Sequence, residues 1–422
     1  MDIFVGVIVG LLVLMLLVTA HEFGHFLAAR RNGVRVLEFG IGFPPRGIAW
    51  VKDPETKKWH RLPRAEWGKP QKGLIFSLNF LPIGGFCQMD GESANDKRKG
   101  TFGHAKFSAK TKILFAGVAM NWLLAFIILT ILAWTGMPTF LENQFTMQND
   151  EQVSGKTAVS IVEVFDESPA KAAGLQSGDH IIAVGGQEVT NATEITKFNS
   201  EHADETVIYT VERDEEVQAQ CDCPAETECD CPSATETVEK IISVKLNPAD
   251  AEYLLGVTMS SAGQSLRHYT WSAPFVGAGL TVQITGETIK GLGDLVWNVI
   301  SGVAKQFNPN DATREEGRAA LNTASDSVSG PVGIIGVIFP AFTSAGPTNL
   351  AFLAALISIS LACMNILPIP ALDGGRWLLI FIYKLRGKEL SKEKEEKIVS
   401  RAFLFLLILI ALVTILDITR FF

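Results

Sequence analysis

The sequence predicts a polytopic α-helical membrane protein with four transmembrane helices and two inserted segments that contain predicted strands. Three observations point to this fold class. Hydrophobic residues make up 47% of the 422 residues and charged residues only 19%, which is an unusual balance for a soluble protein. Four hydrophobic stretches approach or exceed the ~20 helical residues that a bilayer requires. The segments between these stretches differ sharply in the sign of their charge.

The first hydrophobic stretch, residues 3–20, carries no charge and predicts a transmembrane helix within residues 1–30. A cleaved signal peptide is the alternative. Asp2 stands where such a peptide has basic residues, and no small-residue cleavage site with a polar break follows. These features favour a helix that is retained.

A metal-binding motif, His21-Glu22-Phe23-Gly24-His25, follows directly. On a helix, two histidines four residues apart lie on one face, where their imidazoles can hold one Zn²⁺. Glu22 lies beside them as a candidate proton carrier. The motif therefore predicts a hydrolytic zinc site at the end of a membrane helix.

Residues 31–112 predict a cytoplasmic, membrane-associated β-element. Residues 34–50 and 74–89 are rich in β-forming residues and are interrupted by glycine and proline, without a helical period. One interpretation is a small hairpin that packs at the membrane face. The other is a strand edge that binds a substrate backbone through main-chain hydrogen bonds, with Gly84 and Gly85 as candidate contacts.

The second hydrophobic stretch predicts a transmembrane helix over residues 113–137. Its small residues, Ala116, Gly117 and Ala119, allow another helix to approach closely in lipid. Asn121 needs a hydrogen-bond partner on another helix at that depth. Helix packing explains this pattern, and a contact between Asn121 and a substrate is the functional alternative.

Residues 155–260 predict an inserted α+β domain. Residues 159–164 have the composition of a strand, and residues 168–186 predict a short helix, a turn and a second strand. The pattern S-P-A-x-x-A-G-L-x-x-G-D-x-I that begins at Ser168 resembles PDZ domains, which bind extended peptides or the C-termini of proteins at a strand edge. The resemblance implies a domain that filters substrates, and a structural spacer is the alternative.

Residues 217–239 form a hydrophilic insert in this domain with four cysteines: Cys221, Cys223, Cys229 and Cys231. Outside the cytoplasm, four cysteines in a loop often form two disulfides. A soft-metal site with thiolate ligands, or a loop that is merely oxidisable, fits the same residues. The pattern leaves these three possibilities open.

The second half of the sequence returns to the membrane. Residues 271–307 predict an amphipathic helix on the membrane surface, and residues 308–326 a polar, mobile stretch. An uncharged run, residues 327–372, is longer than one span and is broken by Pro340 and Pro347, so its first half predicts a surface or re-entrant piece. The third transmembrane region falls at residues 350–384 and the fourth, with a short apolar part, at residues 402–418.

The third region contains the sequence N-I-L-P-I-P-A-L-D at residues 365–373. Pro368 and Pro370 forbid a regular helix there, and irregular backbone at membrane depth is tolerated where it lines a cavity walled by protein. A carboxylate at that depth is a functional hypothesis by default. Two histidines and one carboxylate form a catalytic zinc pattern, so Asp373 is the predicted third ligand.

The charges predict the topology. Residues 30–112 carry 17 Lys and Arg against 7 Asp and Glu, whereas residues 136–350 carry 11 against 30. Basic loops stay in the cytoplasm, and the short basic loop at residues 384–397 agrees with the longer one. We therefore expect both termini and the PDZ-like domain outside the cytoplasm, and the metal site near the cytoplasmic side.

In this order, the H-E-x-x-H motif, residues 117–121, the PDZ-like insert and the N-x-x-P-x-P-x-L-D-G motif at residues 365–374 resemble the site-2 proteases, which are intramembrane zinc metalloproteases. The pattern is most similar to the bacterial regulator-of-sigma-E type, here with a single PDZ domain. L-P-I-G-G-F at residues 81–86 resembles that family's membrane-associated β-element, and G-P-V-G at residues 330–333 also matches.

The resemblance implies hydrolysis of a peptide bond inside or at the edge of the membrane. Zn²⁺ would be the cofactor on His21, His25 and Asp373, with Glu22 as the catalytic residue. Asn365, beside the two prolines, would hold the substrate backbone.

The expected partners are the lipid bilayer, single-span membrane proteins already shortened by another protease, and a peptide or C-terminus at the PDZ-like domain. An anti-sigma factor or a remnant signal peptide would be such a substrate, in a bacterial cytoplasmic (inner) membrane. Nothing predicts nucleic acid as a partner. The alternative function is a membrane-anchored PDZ binding or chaperone module with a vestigial metal site, which the intact Glu22 and Asp373 argue against.

Overall fold

The computed structural model describes residues 3–67, 69, 71–92, 96–141, 143–154, 159–166, 168–189, 192–218, 233–248, 251, 253–260, 266–326 and 330–421. The four cysteines of the predicted insert, Cys221, Cys223, Cys229 and Cys231, lie outside these residues. The protein divides into two compact units. The first comprises Met1–Thr135 and Thr270–Phe422, and the second Gly136–Tyr269.

The helices are α1 (Ile3–Arg31), α2 (Phe107–Thr135), α3 (Pro169–Ala173), α4 (Ala192–Glu201), α5 (Ala273–Gln306), α6 (Asp311–Asp326), α7 (Pro331–Gly333), α8 (Phe339–Ser344), α9 (Pro347–Ile366), α10 (Asp373–Leu385) and α11 (Lys392–Phe421). The strands are β1 (Val36–Lys52), β2 (Trp59–Arg61), β3 (Ile75–Met89), β4 (Met137–Pro138), β5 (Gln152–Ser154), β6 (Val159–Val164), β7 (His180–Val184), β8 (Gln187–Glu188), β9 (Thr206–Gln218), β10 (Ser233–Lys245), β11 (Val257–Ser260) and β12 (Leu266–His268).

Four of these helices are long and apolar enough to cross a membrane, which confirms the number predicted from hydrophobicity. They are α1, α2, α9 and α11. The fourth begins at Lys392, ten residues before the predicted start at residue 402. The prediction was wrong there because the charged first turns of α11 are helical although they are not hydrophobic; Lys392 and Glu396 pair across one turn.

α1 and α2 cross at two glycines. A Cβ atom on Gly24 would collide with the backbone carbonyl of Ala116, and one on Gly117 would collide with side chains of α1. The predicted close approach of another helix at the small residues of α2 is therefore confirmed. The crossing falls inside the H-E-x-x-H motif, so it also fixes where the two histidines meet α2.

The predicted re-entrant piece is a short apolar helix. α7, a π-helical turn (Ile334–Ile338) and α8 form one continuous helix, Pro331–Ser344, which packs against α1 where Gly10 faces Phe339. Its first turn is capped from α11, because the carboxylate of Asp417 accepts hydrogen bonds from the amides of Gly330 and Gly333 at 3.0 and 2.9 Å. Asp417 is itself buried.

The membrane-associated β-element is a sheet of order β2–β1–β3. Both long strands bend back, near residues 42–46 and 79–84, so that the first half of β1 pairs with both halves of β3. The second half of β3 forms the outer edge of this sheet. Gly84 and Gly85 place that half against α1, where a Cβ on Gly85 would lie 3.1 Å from Thr19 Oγ1.

α5 and α6 correct two predictions. The first turns of α5 are buried, with Gly277 against Thr130 of α2, so α5 is a surface helix only in its later part. Residues 311–326, expected to be polar and mobile, form α6, which packs on α5 where Gly317 meets Gly302. The alanine and glutamate content of α6 favours a helix, and its few buried and half-buried residues recur at helical spacing in a narrow stripe within a polar segment.

The second unit contains a sheet of order β10–β9–β7–β6–β11, with β8 paired to β7, and a smaller sheet of order β4–β12–β5. Buried residues of the larger sheet and of α3 and α4 form one core, which includes Ala170, Ile195 and Tyr209. Ser168 caps α3 by accepting a hydrogen bond from the Lys171 amide, and Pro169 occupies the first turn. The S-P-A sequence thus starts a helix, as predicted.

Candidate metal centre

Three predicted ligands meet in the first unit. His21 Nε2 lies 3.1 Å from His25 Nε2 and 3.1 Å from Asp373 Oδ2, and His25 Nε2 lies 3.3 Å from the same oxygen. Both histidines are buried and the Asp373 side chain is 20% exposed. His21 on α1 and Asp373 on α10 are 352 residues apart in sequence. The fold therefore brings three metal-binding atoms from two helices to one point.

α2 forms the wall behind the histidines. Ile113, Gly117 and Asn121 are spaced by four residues and so lie on one face of the helix. The Ile113 carbonyl accepts a hydrogen bond from His25 Nδ1 at 2.8 Å, and the Asn121 side chain lies 3.4 Å from His21 Nδ1. Gly117 between them leaves the space that the two imidazoles occupy.

Asp373 is positioned by the irregular segment between α9 and α10. Residues 367–372 are not helical, as Pro368 and Pro370 require, and Asp373 opens α10. The next residues, Gly374 and Gly375, lie so close to the backbone carbonyls of Ile366 and Ile369 that a Cβ on either would collide with them. The glycine pair therefore allows α10 to fold back onto the end of α9.

Arg376 fastens the start of α10. Its guanidinium donates hydrogen bonds to the backbone carbonyl of Glu92 and, at 3.4 Å, to the carboxylate of Glu395 on α11. It also lies over the buried ring of Phe102, 5.0 Å from the centroid. These contacts hold the helix that carries Asp373 against the loop after β3 and against α11.

Glu22 lies beside the three ligands. It follows His21 on α1, is half-buried, and lies close enough to both histidines and to Asp373 for their charges to act on it. The backbone amide of Cys87 on β3 lies close enough to the Glu22 carboxylate to act on its charge. The β-element thus lies beside the group that the motif predicts as the proton carrier.

The three ligands fit a zinc ion. Bonds of about 2.0–2.1 Å at tetrahedral angles place neighbouring ligand atoms about 3.3 Å apart, close to the observed separations. Two imidazole nitrogens and one carboxylate are a donor set that Zn²⁺ accepts. Gly117 adds an independent observation, because a Cβ there would lie 2.5 Å from His25 Nε2 and 2.6 Å from His21 Nε2.

A cavity of about 890 Å³ opens beside Asp373. Its walls come from the end of β3, the segment before α10, and the first turns of α11, including Met89, Leu372 and Glu395. Arg376 lines the same cavity. The carboxylate ligand therefore lies in the wall of a space large enough to admit water and a segment of peptide.

The other predicted site residues lie nearby in different arrangements. Asn365 is half-buried, and its amide donates to the Leu361 carbonyl of its own helix at 2.9 Å. Pro368 and Pro370 lie in the non-helical segment before Asp373. Asn121 is fully buried behind His21, a placement that differs from the substrate contact suggested by the sequence.

Sequence reasoning missed two contributors to the centre. The Ile113 carbonyl is a backbone group, so no residue type marks its role. Ser358 on α9 donates a hydrogen bond to the Asn121 carbonyl at 2.9 Å and is fully buried. A serine in an otherwise apolar span was the available signal, since such a side chain often bonds to a neighbouring helix.

Comparison with known proteins places these residues in a family. The sequence profile described as Peptidase family M50 matches residues 9–60 and 62–410. The chain is 26% identical to the zinc metalloprotease RasP of Bacillus licheniformis, over 99% of each protein. It is 25% identical to the regulator of sigma-W protease RasP of Bacillus subtilis, over 99% of this chain and 100% of that protein.

A putative zinc metalloprotease of Clostridium acetobutylicum is 24% identical over 98% of each protein. The family match covers both the H-E-x-x-H motif and Asp373, which the structure brings together. The donor set fits the zinc that the names of these relatives specify. The chain therefore belongs to peptidase family M50, the site-2 protease family, and is a multi-pass membrane zinc metalloprotease.

Proposed function

We propose that this protease cleaves single-span membrane proteins at a peptide bond inside or at the edge of the membrane. One observation carries the proposal: His21 and His25 lie on α1, which is long and apolar enough to cross a bilayer, and Asp373 follows α9, another such helix, after the non-helical residues 367–372. A peptide that reaches these side chains must come from the membrane or from its edge.

His21, His25 and Asp373 would hold the zinc ion, and Glu22 would act as general base and then as general acid. Zinc bound there supplies a Lewis acid that polarises the scissile carbonyl and lowers the pKa of water. Glu22 takes the proton of the attacking water at its carboxylate and returns it to the leaving amine. The Cys87 amide, which lies close to that carboxylate, would orient it by donating a hydrogen bond.

The substrate backbone would bind along the outer edge of β3. Residues 85–89 form this edge, adjacent to α1 and to Glu22. A strand edge offers main-chain donors and acceptors to an extended peptide, whatever side chains the peptide has. Binding in this way would keep the scissile bond extended and out of a helix. In this arrangement Gly84 and Gly85 set the distance between β3 and α1. Asn365 would hold the other side of the substrate backbone.

The second unit would act as a PDZ-like filter. Its antiparallel sheet, the capped α3 and the α4 helix support this assignment. β11 ends the larger sheet and pairs with β6 on one side, and Met259 of β11 packs on the same core as Ile195 of α4. We infer that a peptide or the C-terminus of a protein adds to the edge of β11.

Charge supports the orientation. With the basic segments in the cytoplasm, both termini and the PDZ-like unit lie outside it and the metal centre lies near the cytoplasmic face of a bacterial cytoplasmic membrane. The name of the Bacillus subtilis relative, regulator of sigma-W protease, supports an anti-sigma factor as the substrate class. We expect such a substrate to be shortened outside by another protease before it reaches the centre.

The test uses the full-length protein, reconstituted in lipid vesicles with a single-span reporter shortened on its outer side. Glu22→Gln should lower the cleavage rate about 10²–10⁴-fold and leave one zinc per protein molecule, since glutamine keeps the shape but cannot carry the proton. Mass spectrometry of the products should place the cut within or at the edge of the span.

Glu287→Gln is the matched control, because Glu287 is exposed on α5 and should be replaceable without effect. Wild-type cleavage by Glu22→Gln would contradict the assigned role of Glu22. Cuts confined to soluble regions of the reporter would contradict the intramembrane reaction.

A further inference from the structure

Asn121 contacts His21 from the side away from the predicted metal position. The asparagine is fully buried, and its backbone carbonyl is held by the Ser358 hydroxyl. Its side-chain nitrogen, as placed, lies 3.4 Å from His21 Nδ1. Among the residues that the structure describes, Asn121 Oδ1 is a buried oxygen without a hydrogen-bond partner. The Asn121 side chain therefore contacts the ring of His21, a predicted ligand, while its oxygen accepts no hydrogen bond from the described residues.

The contacts of His25 show which of its two ring nitrogens carries the proton. Its Nδ1 lies 2.8 Å from the Ile113 carbonyl, which can only accept a hydrogen bond. His25 Nδ1 must therefore carry the proton, and the lone pair of Nε2 faces His21 and Asp373. The backbone of α2 selects the tautomer that can bind a metal through Nε2.

His21 also needs its proton on Nδ1, because its Nε2 faces the other two predicted ligands. If the Asn121 amide donated to Nδ1, the neutral ring would carry its proton on Nε2, where the metal belongs. Oxygen and nitrogen of an amide have nearly the same shape, so a half-turn of the side chain exchanges them without moving other atoms. In that orientation Oδ1 accepts a hydrogen bond from His21 Nδ1.

We propose that Asn121 is a positioning residue that accepts a hydrogen bond from His21 Nδ1 and thereby directs Nε2 of His21 to the zinc ion. The inference rests on the proposed role of His21 as a ligand. It assigns one task to each turn of α2: Ile113 orients His25, Gly117 leaves room for both rings, and Asn121 orients His21. α2 serves as a template for the ligands on α1.

Two substitutions separate the acceptor from the donor. Asn121→Asp keeps the shape and the acceptor and removes the amide donor, whereas Asn121→Leu has a similar size and neither group. Zinc affinity of the purified full-length protein, measured by competition with a chelator, should fall 10–100-fold in Asn121→Leu and stay within about threefold of wild type in Asn121→Asp. This readout does not depend on substrate or on turnover.

Asn349→Leu is the matched control. Asn349 is also a buried asparagine in a candidate span, and its Oδ1 also has no partner among the described residues. It lies at the opposite end of α9 from Asn365 and should be replaceable without a change in zinc affinity. An equal loss of zinc in Asn349→Leu would show that the effect of Asn121→Leu reflects general damage to the spans and would overturn the proposal.

Other outcomes also decide between the possibilities. Wild-type zinc affinity in Asn121→Leu, or loss of zinc in Asn121→Asp as severe as in Asn121→Leu, would overturn the acceptor role. His21→Ala distinguishes this failure from failure of the proposed function: full zinc content in His21→Ala would contradict the ligand set itself. Loss of zinc in His21→Ala together with unchanged Asn121→Leu would contradict only the positioning role.

A measurement on the wild type keeps the proposal testable if Asn121→Leu does not fold. In zinc-loaded protein with ¹⁵N-labelled histidine, Nδ1 of His21 should carry a proton, and its signal should shift in Asn121→Asp because the acceptor becomes charged. An unprotonated Nδ1 at His21 would overturn the proposal.

Discussion

A methyl group on Gly117 would lie 2.5 Å from Nε2 of His25, closer than two non-bonded atoms can approach. The missing side chain on α2 therefore creates the space for a ligand on α1. This relationship explains why a small residue is required at this position for a chemical reason in addition to helix packing. It also makes the metal centre sensitive to a substitution that removes no ligand.

Gly117→Ala should weaken zinc binding at least about tenfold, because the new methyl group displaces both imidazoles from the positions that zinc requires. Zinc content after dialysis, measured by atomic spectroscopy, checks this result. Gly291→Ala is the control, since Gly291 in the helix α5 has open space around it and alanine favours helices there. Full zinc content in Gly117→Ala would show that α1 and α2 can separate without loss of the site.

Asp417→Leu should lower the free energy of unfolding by about 1–3 kcal/mol, because the amides of Gly330 and Gly333 lose their acceptor in a buried place. Asp417→Asn should cost less, since one acceptor oxygen remains. Thermal unfolding in detergent and hydrogen exchange at the two glycine amides measure the effect. Asp294→Asn, an exposed change on α5, should alter neither, and unchanged exchange at Gly330 and Gly333 in Asp417→Leu would contradict the capping role.

Tyr209 should ionise only at a pH above the usual range for a tyrosine. Burial raises the pKa of Tyr209 above its usual value, and its hydroxyl donates a hydrogen bond to Asn199 at 2.6 Å. Because the folded-state pKa exceeds the unfolded value of about 10, the stability linked to this group is complete below pH 10 and is lost as the pH rises toward the folded-state pKa.

Ultraviolet absorption of tyrosinate in the full-length protein follows this titration. Tyr209→Phe should remove this high-pH step, whereas Tyr253→Phe, at a position that is 40% exposed, should leave it in place. Ionisation of Tyr209 near pH 10 without unfolding would contradict its burial in the core of the second unit.

The sequence identifies the three candidate ligands of the metal centre because their chemistry is local or rare. His21 and His25 form a recognisable pair on one helix face, and Asp373 follows two prolines in an otherwise apolar span. The structure places their ligand atoms within 4.8 Å of one another. The resemblance to the site-2 proteases joins the two distant segments, and the family match agrees with it.

The groups that orient the ligands could not be predicted in the same way. A backbone carbonyl such as that of Ile113 has no residue type, and its role depends on the crossing of α1 and α2. The role proposed for Asn121 likewise depends on which atom of its amide faces the neighbouring His21 ring. Such roles become visible only when the register between two helices is known.

The errors in the fold have a common physical cause. The prediction for α6 and for the start of α11 relied on hydrophobicity, whereas both segments are helical through propensity, ion pairs and caps. Lys305 of α5, for example, pairs with Glu316 of α6 at 3.0 Å. The bend that brings both halves of β3 onto β1 was also missed, because alternation of residues predicts strands but not the point at which a long strand turns back.

α11 has a consequence for how the protein responds to its membrane. Only 6% of its most apolar stretch is buried, whereas Glu395 near one end and Asp417 near the other are buried and hydrogen-bonded to the rest of the first unit. The apolar part of α11, residues 402–416, covers about 22 Å along the helix, which is shorter than the hydrocarbon thickness of about 30 Å. A change in bilayer thickness therefore changes how this helix sits in the membrane, and because Glu395 holds Arg376 three residues from Asp373, bilayer thickness becomes a physical variable that acts on the position of a predicted metal ligand.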